Sequence, residues 1–126
     1  MKLHHIALTV KDLAVSLAFY GDIFGYKEAQ RFRRDDLRAS ACFLQGDGSM
    51  LELWQFDDFR QGVREDMSVS GLRHIAFTDQ DPALRREELI KKSINCGPLK
   101  TGASGGLYFF LSDPDDNQIE IYRPAL

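Results

Sequence analysis

The sequence predicts an α+β fold made of two tandem copies of one strand–helix–strand–strand–strand unit. Three observations predict it. The first is an internal repeat: Leu3–Ala14 set against Leu72–Ala83 is identical at seven of twelve positions, with His5 falling on His74 at an offset of 69. The second is a further match at nearly the same offset, Met50–Trp54 against Gln118–Tyr122, with Glu52 falling on Glu120 at 68. The third is the alternation of strand-like and helix-like periodicity in the same order within each copy. The repeat divides the 126 residues into a first module at about 1–56, a charged linker at 57–71 and a second module at about 72–126. A chain of this length buries roughly two-thirds of its unfolded surface and needs no disulfide to hold it.

In the first copy, residues 2–10 alternate and read as a strand. Asp12 is an N-cap residue, and Leu13, Leu17, Tyr20 and Phe24 form an apolar helical stripe that Gly25 ends. Strand patterns follow at 26–34, 38–45 and 49–56, the last two joined by a Gly46-Asp47-Gly48 turn. The second copy reads as a strand at 72–79 and a helix opened by Asp81 and Pro82 and closed by Gly97-Pro98. Strands near 99–102, 106–112 and 118–123 complete it, with Asp113-Pro114-Asp115-Asp116-Asn117 as the final turn.

Composition narrows the function. Sixteen Lys and Arg against 19 Asp and Glu leave a net charge of −3, without the basic footprint that gripping nucleic acid requires. No run of about 18 apolar residues offers a membrane span, and the His4-His5 start lacks the apolar stretch of an export signal. Cys42 and Cys96 fit no CxxC spacing and read as reduced thiols of a cytoplasmic protein.

Side chains alternate faces along a strand, so His5, Ala7 and Thr9 oppose Ile6, Leu8 and Val10, and His74, Ala76 and Thr78 oppose Ile75 and Phe77. Glu52 and Trp54 oppose Leu51 and Leu53; Glu120 and Tyr122 oppose Ile119 and Ile121. The apolar faces pack on the helices, which leaves each copy a second face bearing one His and one Glu. Taken singly, a strand His is ordinarily a hydrogen-bonded or surface residue and a strand Glu a solvated one. Four at repeat-equivalent positions point instead to a common centre under a pseudo-twofold. Two imidazoles and two carboxylates suit a divalent ion such as Zn, Ni, Co, Mn or Fe, with coordination positions left for substrate. His4 has no repeat partner, since Arg73 stands there, and takes no role.

At these residues the sequence resembles the vicinal oxygen chelate superfamily, which includes glyoxalase I, extradiol dioxygenases, and the fosfomycin and bleomycin resistance proteins. The resemblance is carried by His5–Leu13, Phe19–Tyr26, Leu51–Leu53, His74–Phe77 and Asp113–Ile121, and covers nearly the whole chain. It implies paired βαβββ modules forming a cup-shaped mixed sheet around one metal, in a homodimer whose sites draw modules from one chain or both. The ligand set His5, Glu52, His74 and Glu120 is similar to that of glyoxalase I, with Zn, Ni or Co the ions implied. It further implies a lyase or isomerase moving a proton on a small 2-oxo or 2-hydroxycarbonyl substrate, with Glu120 first and Glu52 second as the base. The rival readings are an Fe(II) or Mn(II) extradiol dioxygenase, using His5, His74 and Glu120, and a non-catalytic drug-binding resistance protein. Thr9 and Phe56 stand where bacterial glyoxalase I carries glutathione-holding Arg and Asn, which puts glutathione use in doubt. Trp54 and Tyr122 share the ligand face and are expected to line the substrate site. Lys100 lies in a stretch resembling the family's loop before the penultimate strand and is expected to meet an anionic group.

Overall fold

The computed structural model describes residues 1–64 and 66–126; Glu65, inside the expected linker, lies outside the described residues. The chain forms two compact units, Met1–Val63 and Arg64–Leu126. Each is a βαβββ module with its own four-stranded mixed sheet, in the orders β1-β4-β3-β2 and β5-β8-β7-β6. In the first module the elements are β1 (Ile6–Thr9), α1 (Leu13–Phe24), β2 (Lys27–Arg34), β3 (Ala39–Gln45) and β4 (Met50–Phe56). In the second they are β5 (Ile75–Thr78), α2 (Pro82–Lys91), β6 (Lys100–Thr101), β7 (Leu107–Ser112) and β8 (Gln118–Arg123). Among the described residues no helix is long and apolar enough to cross a membrane.

Local chemistry sets the ends of the elements. Asp12 accepts hydrogen bonds from the Ala14 and Val15 amides at 2.9 and 3.3 Å, satisfying two otherwise orphaned donors of α1. Gly25, at φ 71°, closes the same helix by donating to the Gly21 carbonyl. The buried stripe of α1 is Leu13, Ser16 and Tyr20, whereas Leu17 and Phe24 are only half-buried. Leu13 and Tyr20 of the expected stripe are thus buried, and Ser16 rather than Leu17 fills the turn between them. The second helix stops at Lys91, well short of the expected Gly97-Pro98. Ser93 takes a left-handed conformation at φ 63°, and the Ile94 amide bonds back to the Leu89 carbonyl at 2.9 Å, closing the helix early. The first strands are also shorter than their patterns, so His5 and His74 stand one residue before β1 and β5.

The helix side of each sheet carries the core. In the first module Leu44, Leu51, Leu53 and Val10 are fully or nearly fully buried with Tyr20; in the second, Phe109, Leu111, Ile119 and Ile121 are, with Leu89 of α2. Full burial of such side chains is worth roughly 1.5–3 kcal/mol each. The final turn is held by Asp113, which is buried and accepts from the Asp115 and Asn117 amides and from Asn117 Nδ2 at 2.8–2.9 Å.

The turn between β3 and β4 closes against Tyr26, whose hydroxyl meets Ser49 Oγ at 2.6 Å. A Cβ added at Gly46 would lie 2.6 Å from the ring carbon Cε1 of this buried tyrosine, while one at Gly62 would meet nothing within 4 Å. Gly46→Ala is therefore expected to lose about 1–3 kcal/mol of stability in urea unfolding. Gly62→Ala is expected to stay within about 0.5 kcal/mol of the parent. Equal midpoints for the two variants would show that the Tyr26 ring yields without cost.

Candidate metal centre

Parallel pairing of the first strand of each module with its last brings the polar residues together. Ala7 pairs with Glu52 and Ala76 with Glu120, and each histidine precedes its alanine by two residues, on the same face. His5 Nε2 lies 3.1 Å from Glu52 Oε2, and His74 Nε2 lies 3.0 Å from Glu120 Oε2. The same atoms meet at the same distance in both modules. The imidazoles are about one-third exposed and the carboxylates 13% and 16% exposed, so both pairs can reach a ligand without being fully solvated.

A third residue belongs to each pair. Phe43 is the neighbour of Glu52 on β3, and Phe110 that of Glu120 on β7. The His5 and Phe43 rings meet edge-on at 5.3 Å, as do His74 and Phe110. These phenylalanines hold the imidazole planes, and they lie 67 residues apart, within two of the repeat offset. That offset is the signal by which the sequence could have revealed them. His4 is a second addition. Its Nδ1 stands 2.8 Å from His5 Nδ1, so one ring donates to the other and the tautomer of His5 is tied to its neighbour. Arg73, at the equivalent place, instead donates to the Asp66 and Val69 carbonyls.

The donor set fits a divalent ion. The 3.0–3.1 Å separation is that of a direct imidazole–carboxylate hydrogen bond, and it is also roughly that of neighbouring nitrogen and oxygen donors about 2.1 Å from a six-coordinate ion. Among the described residues no group of three or more His, Cys, Asp or Glu stands close enough to hold an ion. Each module brings together one histidine and one glutamate. Burial pushes the Cys42 and Cys96 thiols above the usual thiol range.

Of the remaining expected residues, Trp54 and Tyr122 lie on the ligand face, one pleat beyond Glu52 and Glu120, and both are half-buried. Lys100 pairs with Tyr108 and so shares the face of Tyr122 and Glu120; it is exposed. Of three arginines on β2, Arg31 and Arg33 point elsewhere, while Arg34 pairs with Ala39 and lies on the face of Phe32. Arg31 and Arg33 pair with Cys42 and Ser40, which places them on the helix side of the first sheet. Arg31 is bound by Glu28, Arg33 by Asp35 and Asp57, and Arg34 by Asp36, and the Arg33 and Arg34 guanidiniums hold Asp57 and Asp36 below the usual carboxyl range. A surface hollow lined by Asp12, Leu13, Arg31, Arg33, Ser40 and Gln55 also lies there. Its amides and guanidiniums are already engaged, the Leu13 amide donating to Gln55 Oε1 at 2.7 Å.

Comparison with known proteins agrees with this architecture. The sequence model of the Glyoxalase/Bleomycin resistance protein/Dioxygenase superfamily matches residues 2–121. The Bacillus subtilis protein YwkD is 35% identical over 125 residues, covering 96% of this chain and 95% of its own length. Catechol-2,3-dioxygenase of Bacillus subtilis is 33% identical over 118 residues, but the match covers 91% of this chain and 39% of that enzyme. Lactoylglutathione lyase of Salmonella typhimurium is 27% identical over 129 residues, covering 96% and 91%. Among solved structures, the fosfomycin resistance protein of Listeria monocytogenes complexed with Mn(II) and sulfate superimposes with a TM-score of 0.73 at 22% identity, over 99% of this chain and 93% of that one. With a family match over nearly its whole length and two sheets of the same plan, the chain belongs to the glyoxalase/bleomycin resistance protein/dioxygenase superfamily, whose members include metal-using lyases, isomerases and dioxygenases.

Proposed function

We propose that the protein is a metal-dependent lyase or isomerase of the glyoxalase type, moving a proton on a small 2-oxo or 2-hydroxycarbonyl compound. The observation that carries this reading is the duplicated His–Glu pair, with Nε2 and Oε2 3.0–3.1 Å apart in each module. Two donors do not fill the coordination sphere of a divalent ion, so the ion takes both pairs, His5 and Glu52 with His74 and Glu120. The pairs come from one chain or from two chains of a homodimer. The donors suit Zn, Ni or Co, and Mn or Fe as well; the Mn(II) in the Listeria relative supports a divalent ion.

When bound, the ion supplies Lewis-acid stabilisation of negative charge developing on substrate oxygens. The chain supplies the proton transfer. Glu120 takes the proton from carbon and returns it to the neighbouring carbon, and Glu52 is the second carboxylate able to do so. Both glutamates are mostly shielded from water, which strengthens their interaction with the reacting group. Lys100, exposed on the strand beside Tyr108, meets an anionic group of the substrate, and Trp54 and Tyr122 flank the chelated part. The match to lactoylglutathione lyase spans nearly that enzyme's full length, which favours this reading over ring cleavage. The greater identity to catechol-2,3-dioxygenase keeps an iron-dependent dioxygenase as the second reading.

Protein purified without chelator is expected to carry about one Ni, Co or Zn per pair of modules by elemental analysis, and to lose it in His5→Ala and in Glu52→Ala. Iron retained in Glu52→Ala, with dioxygen uptake, would favour the dioxygenase instead. No metal in the parent protein even after reconstitution would leave a binding module. Glu120→Gln is expected to lower turnover of a 2-oxoaldehyde by roughly 10²–10⁴ while only weakening metal binding. Normal turnover in that variant would remove Glu120 from the base role.

A further inference from the structure

The two modules match where the donors lie and differ one pleat away. The rung holding the first pair runs Gln30–Phe43–Glu52–Ala7, and that of the second runs Phe110–Glu120–Ala76. The next rung reads Phe32–Ala41–Trp54–Thr9 in the first module and Lys100–Tyr108–Tyr122–Thr78 in the second. Both sheets bury their larger core side chains on the helix side; on the opposite face of the first sheet the small Ala39 and Ala41 are also fully buried, beside these rings, and the rings themselves keep an exposed surface.

The first module's rung is an aromatic surface continuous with the donor pair. His5 meets Phe43, Phe43 meets Phe32 at 6.0 Å, Phe32 meets Trp54 edge-on at 5.5 Å, and Trp54 stacks on Phe56 at 6.0 Å. Phe32 and Trp54 close over Ala41, which is fully buried, yet both rings remain half-exposed themselves. Half-exposed rings fixed in one geometry gain most from a flat apolar group laid against them. Trp54 stands two residues from Glu52 on the same face, about 7 Å along the strand. That is comparable to the span from a chelating oxygen to the far edge of a phenyl ring on the adjoining carbon.

We propose that Phe32 and Trp54 are specificity-determining residues that seat a planar apolar substituent, an aryl group, carried next to the chelating oxygens of the substrate. This rests on the metal reading of the preceding section, and the test separates the two. Acetohydroxamate and benzohydroxamate both chelate divalent ions through two neighbouring oxygens and differ only in the phenyl ring. Titrated by calorimetry into the metal-loaded protein, benzohydroxamate is expected to bind at least about tenfold more tightly. It is also expected to quench the single tryptophan, Trp54.

Phe32→Leu and Trp54→Leu, which keep apolar bulk and remove the ring, are each expected to bring the two affinities within about threefold, and Phe32→Leu is expected to do so while leaving acetohydroxamate binding unchanged. Equal affinities in the parent protein would overturn the aryl seat and leave the metal reading standing. A preference that survives both variants would place the ring elsewhere and overturn it too. Binding of neither compound would overturn the metal reading and this one with it. A dimer that falls to monomer in Trp54→Leu by light scattering, with no change in ligand preference, would make the aromatic face an interface between copies instead.

Discussion

In each module the first strand runs parallel to the last, and this pairing decides whether an imidazole meets a carboxylate at all. A sheet's side chains alternate with a period of two, so a slip of one residue between β1 and β4 would carry Glu52 to the helix side. There it would displace Leu51 or Leu53, which are 1% and 0% exposed. The register is thus enforced by the apolar core on one face, and the donor pair on the other face inherits its alignment from it. The same holds for β5 and β8, where Ile119 and Ile121 occupy the buried positions on either side of Glu120. The hydrophobic packing that stabilises each module thus also positions its His–Glu pair.

The local environment keeps the pairs in a state between solvated and buried. A fully buried carboxylate would carry a large desolvation cost, and a fully exposed one would interact weakly with a ligand. Glu52 and Glu120 sit between these limits, each capped on one side by a phenylalanine and open on the other above Ala7 and Ala76, both exposed. By contrast, the larger collection of charge around Arg31, Arg33 and Arg34 consists of solvent-exposed ion pairs of the kind that contribute little to stability. The densest cluster of charge is therefore separate from the two His–Glu pairs.

What was legible in the sequence followed from periodicity. The repeat offset placed His5 on His74 and Glu52 on Glu120, and the alternation of each strand put the four on faces opposite the core; the structure has them there. The element order was equally legible, because Asp12, Gly25, Asp81 and Pro82 are local signals that act on their own neighbours. The close of α2 was not, because Ser93 ends the helix with a left-handed conformation that no glycine announces. Strand partners were also hidden. That Phe43 lies beside Glu52 depends on the pairing of β3 with β4, and an apolar residue in an apolar strand carries no mark of which neighbour it will touch. For the same reason the direction of Arg31 and Arg33 required the register of β2 on β3. His4, set aside for want of a repeat partner, touches His5 because it lies outside the strand, where alternation no longer predicts which way a side chain turns.

Duplication also explains why agreement and difference between the modules carry separate information. Under the proposed function, chelation asks the same thing of both halves, one nitrogen and one oxygen at a fixed spacing, and the two rungs bearing those atoms coincide down to the ring edge-on to each imidazole. A substrate with unlike ends makes no such symmetric demand. The rungs beyond the donors are free to diverge, and they do so in chemical character rather than only in size: two aromatic hydrocarbon surfaces on one side, a cation and two phenols on the other. Under the proposed function, the positions that match between the two halves serve the ion and the positions that do not match serve what it holds.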